Sequence, residues 1–443
     1  MAEVQVVTSA EVLDRARRVA GTLLRRGLSA GDRLVLLQPG SPDYLAVVLG
    51  ALQCGVVPVA LDPALTPYER EPLVADADPA LVVERPELLA ALGQGPAARR
   101  GLSDVPRARP MHYTSGTTGR PKGVFSGVLT EPDAEALLAD ERDFWRISAD
   151  DVHLVASPLH HSAPLRFALT TLLAGGSVVL PGRFDAHRWA QAVVDHRPTT
   201  AFVVPAHLTR LLAAGLPPTD SFRLLAHAGA PCPEPLKERV LEAFPTGSVW
   251  EFYGSTEGQF TACSGEEWRE HRTSVGRARP GRVISVDDVG RLWCQVPRFA
   301  RFEYWRDQRR TDAAWRGDSF TVGDLGRIDA DGYVYLDGRR EDLVISGGVN
   351  VYPAEVESVL AGCPGVEDVA VFGLPDPRWG QRVCAAVVGR ADDGSLRSWA
   401  SQRLAPAKRP KQYVHLDALP RTSTGKVRRL ELPDVVPREE AGR

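Results

Sequence analysis

Neither sign of charge dominates this 443-residue chain: Lys and Arg number 53 against 56 for Asp and Glu, a formal net charge of -3. That balance excludes the overall basic field with which a nucleic-acid or anionic-membrane binder draws its partner. Cysteine is sparse, six in all at positions 54, 232, 263, 294, 363 and 384 and never in CxxC spacing. The spacing argues against a zinc site or a disulfide scaffold, and for reduced thiols in a cytoplasmic protein. No basic segment followed by an apolar one opens the chain, so no signal peptide is expected. One nearly uncharged run, Tyr44 to Leu61, is interrupted by Gly50, Gln53, Gly55 and Pro58. It reads as a buried helix followed by a strand, not as a membrane span.

What the chain does have is length for two or more units and an ordinary globular composition, 44% hydrophobic and 25% charged. Helical and strand signals alternate through its first three quarters. Ser9 caps a helix through Leu24, Arg33 to Leu37 is a strand, Ser41-Pro42 opens a helix, and Val56 to Leu61 is the next strand. Further apolar runs at Val152 to Ala156, Ser177 to Leu180, Ala201 to Val204 and Leu224 to His227 complete an α/β pattern of parallel sheet covered on both faces. From about Gly281 short strands and turns take over, punctuated by Asp287-Asp-Val-Gly, Asp329-Ala-Asp-Gly and Leu336-Asp-Gly. A last unit begins near Arg339, with a helix opened by Pro353. Eight basic residues and one acid between Arg403 and Arg429 make its end locally cationic.

Four segments carry chemistry. In Tyr113-Thr114-Ser115-Gly116-Thr117-Thr118-Gly119-Arg120-Pro121-Lys122, glycines admit an anion to backbone N–H groups, hydroxyls add donors and one lysine neutralises charge: a phosphate-holding loop. It is not the nucleotide P-loop, because Gly123 and not Ser or Thr follows the lysine. Glu251-Phe-Tyr253-Gly254-Ser-Thr256-Glu257-Gly258 offers a ring for a base, a hydroxyl for a phosphate and a carboxylate for Mg²⁺. Gly323-Asp324 and Gly338-Arg339 add an acid for ribose hydroxyls and a guanidinium for phosphate. Last, Arg421-Thr-Ser-Thr-Gly425-Lys426 presents a lysine beyond a flexible glycine turn.

In this order the four segments resemble the ANL superfamily of adenylate-forming enzymes, with motifs most similar to acyl-CoA synthetases. The resemblance covers nearly the whole chain. It implies an N-terminal domain at 1–338, a hinge at 339–342 and a small mobile α+β lid at 343–443. It further implies that Thr114, Ser115, Gly116, Thr117, Thr118, Gly119 and Lys122 cradle the β and γ phosphates of ATP. Gly229, Ala230 and Pro231 would line the adenine, Tyr253 would stack on it, Thr256 would bond the α-phosphate and Glu257 would hold Mg²⁺. Asp324 and Arg339 would bind ribose and its phosphate edge, and Lys426 would bridge the substrate carboxylate and α-phosphate.

For thioester formation the resemblance implies rotation about Glu341, where family members usually carry Asp or Lys. Gly347 and Gly348 would then line the tunnel for the thiol arm of CoA, and Trp379 would stack on its adenine. Pro158-Leu-His-His161 matches the family's segment at the acyl pocket, placing His161 at the gate between carboxylate and thiol. Ser162, Phe167, Phe252, Gly254, Gln259 and Phe260 are the expected pocket wall. No aspartate lies between Pro158 and Leu172 to pair an α-amine, which favours a plain carboxylic acid. The expected acceptor is CoA; a carrier-protein phosphopantetheine or a nitrogen nucleophile shares every adenylation residue. The expected assembly is a monomer or a homodimer.

Overall fold

The computed structural model describes residues 4–65, 67–98, 102–114, 122–339, 344–346, 349–351, 353–376, 380–404, 406, 408–422 and 425–435. They form two compact units, the larger of residues 1–284 and 294–320, the smaller of 285–293 and 321–443.

The larger unit opens with the Ser9–Arg25 helix, and its start differs from expectation by one residue. Thr8, not Ser9, is the cap: it has extended backbone, its side chain accepts from the Glu11 N–H, and Glu11 reaches back to complete a capping box. Ser9 Oγ instead donates to the Leu172 carbonyl at 2.6 Å. The uncharged run becomes the Pro42–Gln53 helix, buried continuously from Tyr44 to Gln53, followed by the Val57–Ala60 strand. It packs tightly on the first helix; a Cβ at Gly50 would stand 2.4 Å from the Ala16 carbonyl oxygen, so only glycine fits there.

Two sheets organise this unit. A six-stranded sheet runs Glu303–Tyr304, Lys122–Phe125, Met111–Thr114, Val57–Ala60, Arg33–Leu36, Leu81–Val83, parallel among its last four strands and antiparallel in the first two pairings. An eight-stranded sheet has four central parallel pairings, from Ser177–Leu180 through Val152–Val155, Thr200–Val203 and Leu224–His227 to Val249–Gly254. Antiparallel strands close it at both edges. The parallel strands are buried almost throughout, as a parallel sheet covered on both faces requires.

In the smaller unit, Asp324–Ile328 pairs antiparallel with Val334–Arg339. The Asp329-Ala-Asp-Gly turn joins them, its Asp329 carboxylate accepting from the Asp331 and Tyr333 N–H groups. Leu336-Asp-Gly is not a turn. It lies inside the second strand, where Leu325 pairs Gly338 and Gly326 pairs Leu336, leaving Asp337 as the extra residue of a bulge. Beyond it a five-stranded sheet carries the Pro353–Ala361 and Asp393–Arg403 helices on one core and the Arg429–Val435 turn of 3-10 helix on another.

Several histidines of the larger unit are folded away from water. Burial depresses His112 and His227 to about 4 and His153 to about 3. Neither ring nitrogen of His227 has a hydrogen-bond partner among the described residues. The unfolded chain binds protons at these sites near pH 6.5 while the folded one does not, so stability is complete above that value and is lost as pH falls toward 4. Lowering pH from 7 to 5 should cost on the order of 1 to 2 kcal/mol per buried histidine. Denaturant midpoints measured across that range check this, with His227→Leu expected to flatten the slope.

Candidate active site

The phosphate-type loop springs from a hairpin in the six-stranded sheet: Met111–Thr114 leads into it and Lys122–Phe125 returns, with Thr114 directly opposite Lys122. Thr114 Oγ1 is buried with no hydrogen-bond partner among the described residues, an orphaned hydroxyl at the lip of the loop. The loop's own Ser115, Gly116, Thr117, Thr118 and Gly119 lie outside the described residues, as do Glu341, Gly347, Gly348 and Trp379.

The eight-stranded sheet supplies the opposing group. Its Val249–Gly254 strand ends in a turn closed by the Ser255 N–H donating to the Gly258 carbonyl at 2.8 Å, and Gln259–Ser264 returns from it. That turn delivers Glu257, only 3% exposed, to 2.8 Å from Lys122 Nζ. Tyr304 links the pair: its hydroxyl accepts from Lys122 at 2.9 Å and donates to Glu257 Oε1 at 2.9 Å. The lysine also stands 4.4 Å from the centre of the Tyr304 ring. Burial alone would raise the Glu257 carboxyl, but Lys122, Ser255 and Tyr304 hold it below the usual carboxylate range, so it is ionised.

No three His, Cys, Asp or Glu side chains converge as a metal cage among the described residues. A lone buried carboxylate beside a phosphate-type loop suits a hard cation shared with phosphate oxygens.

Beside this junction lies a mostly apolar cavity holding about 1040 Å³ of empty space, its open side included. Thr256, Ser162 and Gln259 line it, whereas Phe167 and Phe252 sit in an aromatic core with Trp145 and Phe202, and Phe260 packs on Tyr253 and Phe320. Gly254 is held in its turn, where a Cβ would lie 2.8 Å from the Gly258 carbonyl oxygen. His161 ends the Pro-Leu-His-His segment at the start of the Ser162–Leu173 helix, its ring 4.2 Å from that of His160. His112 also faces the cavity; its Nδ1 donates to the His160 carbonyl at 3.0 Å, which leaves Nε2 an acceptor.

Gly229, Ala230 and Pro231 are exposed just past the end of the Leu224–His227 strand, Gly229 at φ +90°, where ligands of open parallel sheets bind. In the smaller unit the strand register sets Asp324, 7% exposed, directly across from Arg339. Lys426 is exposed on a turn in which the Thr422 N–H donates to the Lys426 carbonyl, the Lys426 N–H donates to Thr422 Oγ1, and Gly425 adopts φ +81°.

One wall of the cavity is a buried charge cluster that sequence reading missed. Glu141 accepts from Gln259 Nε2 at 2.5 Å and from Arg279 at 3.1 Å, and pairs with Arg166 Nε at 3.2 Å. Asp140 takes two bonds from Arg282, at 2.8 and 2.9 Å, and one from Arg279. Tyr304 was also missed; it reaches the site by pairing its short strand to Lys122–Phe125 from 182 residues away, with no local signal. Arg166 did carry one, as the sole charge in the otherwise uncharged Ser162–Leu173 helix, one turn from Ser162.

A phosphate-type loop and a lysine–carboxylate pair at the mouth of an apolar cavity suit an enzyme that activates a small molecule with a nucleotide. The chain belongs to the AMP-binding enzyme family: residues 2–295 match its AMP-binding model and 355–426 the model of its C-terminal domain. A feruloyl-CoA synthase of an Amycolatopsis species is 35% identical over 95% of this chain and 92% of its own length. ATP-bound MatB from Rhodopseudomonas palustris matches with a TM-score of 0.85 at 30% identity, covering 96% of this chain and 92% of that one. The amide bond synthetase McbA from Marinactinospora thermotolerans gives 0.83 at 27% identity over 97% and 94% of the two chains. The adenylate-forming resemblance and the α/β architecture both hold.

Arg279, fully buried, binds Asp140, Glu141 and Gln259 at once and covers the Phe144 ring at 4.3 Å. Arg279→Ala would leave two carboxylates undercompensated, and should destabilise the larger unit by about 3 kcal/mol or more, read from urea denaturation.

Proposed function

We propose that this enzyme condenses a carboxylic acid with ATP to an acyl adenylate and then transfers the acyl group to CoA. The observation that carries the reading is the Lys122–Tyr304–Glu257 junction beside a cavity lined by Thr256, groups suited to phosphate and its cation next to an apolar space suited to an acid. Thr114, Lys122 and the loop between them hold the β and γ phosphates. Lys122, already steered by Tyr304, needs no large search to reach them. Thr256 bonds the α-phosphate where the cavity begins, so the carboxylate of an acid in the cavity lies beside the phosphorus it attacks.

Glu257 is the residue that would hold Mg²⁺, which when bound offsets the charge of the phosphates. Tyr253 with Gly229, Ala230 and Pro231 takes the adenine. Asp324 accepts from the ribose hydroxyls, and the Arg339 guanidinium bonds the phosphate edge. Lys426, carried on its glycine turn, places a cation between two mutually repelling anions as charge redistributes. The domain reading belongs to the same proposal: 1–338 binds ATP and acid, and 343–443 rotates about Glu341. Gly347, Gly348 and Trp379 then receive CoA while His161 gates the thiol. The feruloyl-CoA synthase relative supports the thioester product.

The likeness to an amide bond synthetase favours one second reading, in which a nitrogen nucleophile replaces CoA. Mixing enzyme, ATP, Mg²⁺ and a panel of acids should release pyrophosphate in an acid-dependent way, with thioester forming once CoA is added. Thioester absent while hydroxylamine or another amine captures the acyl group selects the second reading. Lys426→Ala should slow acid-dependent pyrophosphate release by roughly two to three orders of magnitude; release at the normal pace overturns the assigned role.

A further inference from the structure

The acid-binding cavity carries a positive charge that a simple fatty or aryl acid would leave unanswered. Ser162, Leu165, Arg166, Leu169, Thr170 and Leu173 face it from one side of their helix, at the spacing that keeps residues on a common face. Five of these belong in such a place, being apolar or neutral. Arg166 does not, since a guanidinium turned toward an apolar space is costly without an anion. Its Nε is 3.2 Å from Glu141, but no hydrogen bond from its terminal nitrogens to a protein acceptor occurs among the described residues. Glu141 is in any case shared with Arg279 and Gln259.

The balance of charge around the cavity points the same way. Arg109, Arg166, Arg282 and Glu141 line it, and Arg279 and Asp140 stand behind Glu141 and Arg282; among these described residues two positive charges are in excess, while Lys122 and Glu257 balance each other. Arg109 spends its bonds on the carbonyls of Glu257 and Arg301, not on a carboxylate. Burial, with repulsion from Arg166 and Arg282, depresses the Arg109 guanidinium to about 10. The reacting carboxylate, placed at the Thr256 end, answers one excess charge. The second calls for a second anion.

We propose that the acid activated here is a dicarboxylic acid, whose non-reacting carboxylate is gripped by the terminal nitrogens of Arg166 while a hydrocarbon spacer lies along the leucines of the cavity. Arg166 is then the specificity-determining residue. A guanidinium fork suits a planar carboxylate held bidentately, and a site built for a charged group rejects an analogue lacking it far more strongly than an apolar slot rejects a misfit. This inference rests on the acid-activating reading above.

The test is acid-dependent ATP–pyrophosphate exchange with aliphatic and aromatic dicarboxylic acids, each paired with its own monomethyl ester. The wild-type enzyme should prefer at least one diacid over its monoester by 100-fold or more in kcat/KM. Arg166→Met should bring that ratio to about 1, chiefly through KM, and Arg166→Lys, which keeps a cation but not the fork, should give an intermediate ratio. Should Arg166→Met not fold, the wild-type ratio and the lysine variant still decide. Exchange with monoesters as fast as with diacids overturns the proposal alone, as does a ratio unmoved by both Arg166 variants. No exchange with any acid overturns the acid-activating reading itself.

Discussion

Lys122 and Glu257 are contributed by different sheets, and Glu257 would be an uncompensated buried charge without the half-buried lysine. A single partner removed from such a pair costs several kcal/mol, so the contact constrains how the two sheets of the larger unit can meet. Tyr304 arrives on the edge strand of the six-stranded sheet and fixes both partners through one hydroxyl. The geometry that makes this lysine and this carboxylate neighbours is thus a property of the folded unit, not of either loop.

The same logic governs the wall of the cavity. Asp140 and Glu141 end the Glu131–Phe144 helix, where the helix dipole disfavours acids, and the guanidiniums of Arg279 and Arg282 offset that cost. Gln259 joins them from the strand that returns after Glu257. One ionic cluster therefore ties the strand that follows Thr256 and Glu257 to the helices around the cavity. The cavity wall and the turn beside it are held by shared bonds, and Arg166 is the member of the cluster that lines the cavity itself from the Ser162–Leu173 helix.

Much of the architecture was legible from period and punctuation. The alternation of apolar runs with helix-length segments marked the parallel sheets, and Tyr44 to Leu61 was readable as helix then strand because its interruptions forbid a span. Errors arose where a neighbour in space outbid a neighbour in sequence. Ser9 looks like a cap, but its hydroxyl is taken by the Leu172 carbonyl, and Thr8 caps instead. Gly338 looks like a turn residue, but the opposite strand stays in register across it and the backbone absorbs the mismatch as a bulge at Asp337.

The amino-acid order alone determined the family, because its candidate nucleotide groups sit in contiguous motifs whose chemistry requires adjacent glycines, hydroxyls and single charges. Only the tertiary structure decided that Tyr304 joins Lys122 to Glu257 and that Arg166 looks into an apolar cavity. Those relations depend on strand register, helix rotation and side-chain partners up to 182 residues apart. Nothing local encodes them; they exist only once the sheets have closed on one another.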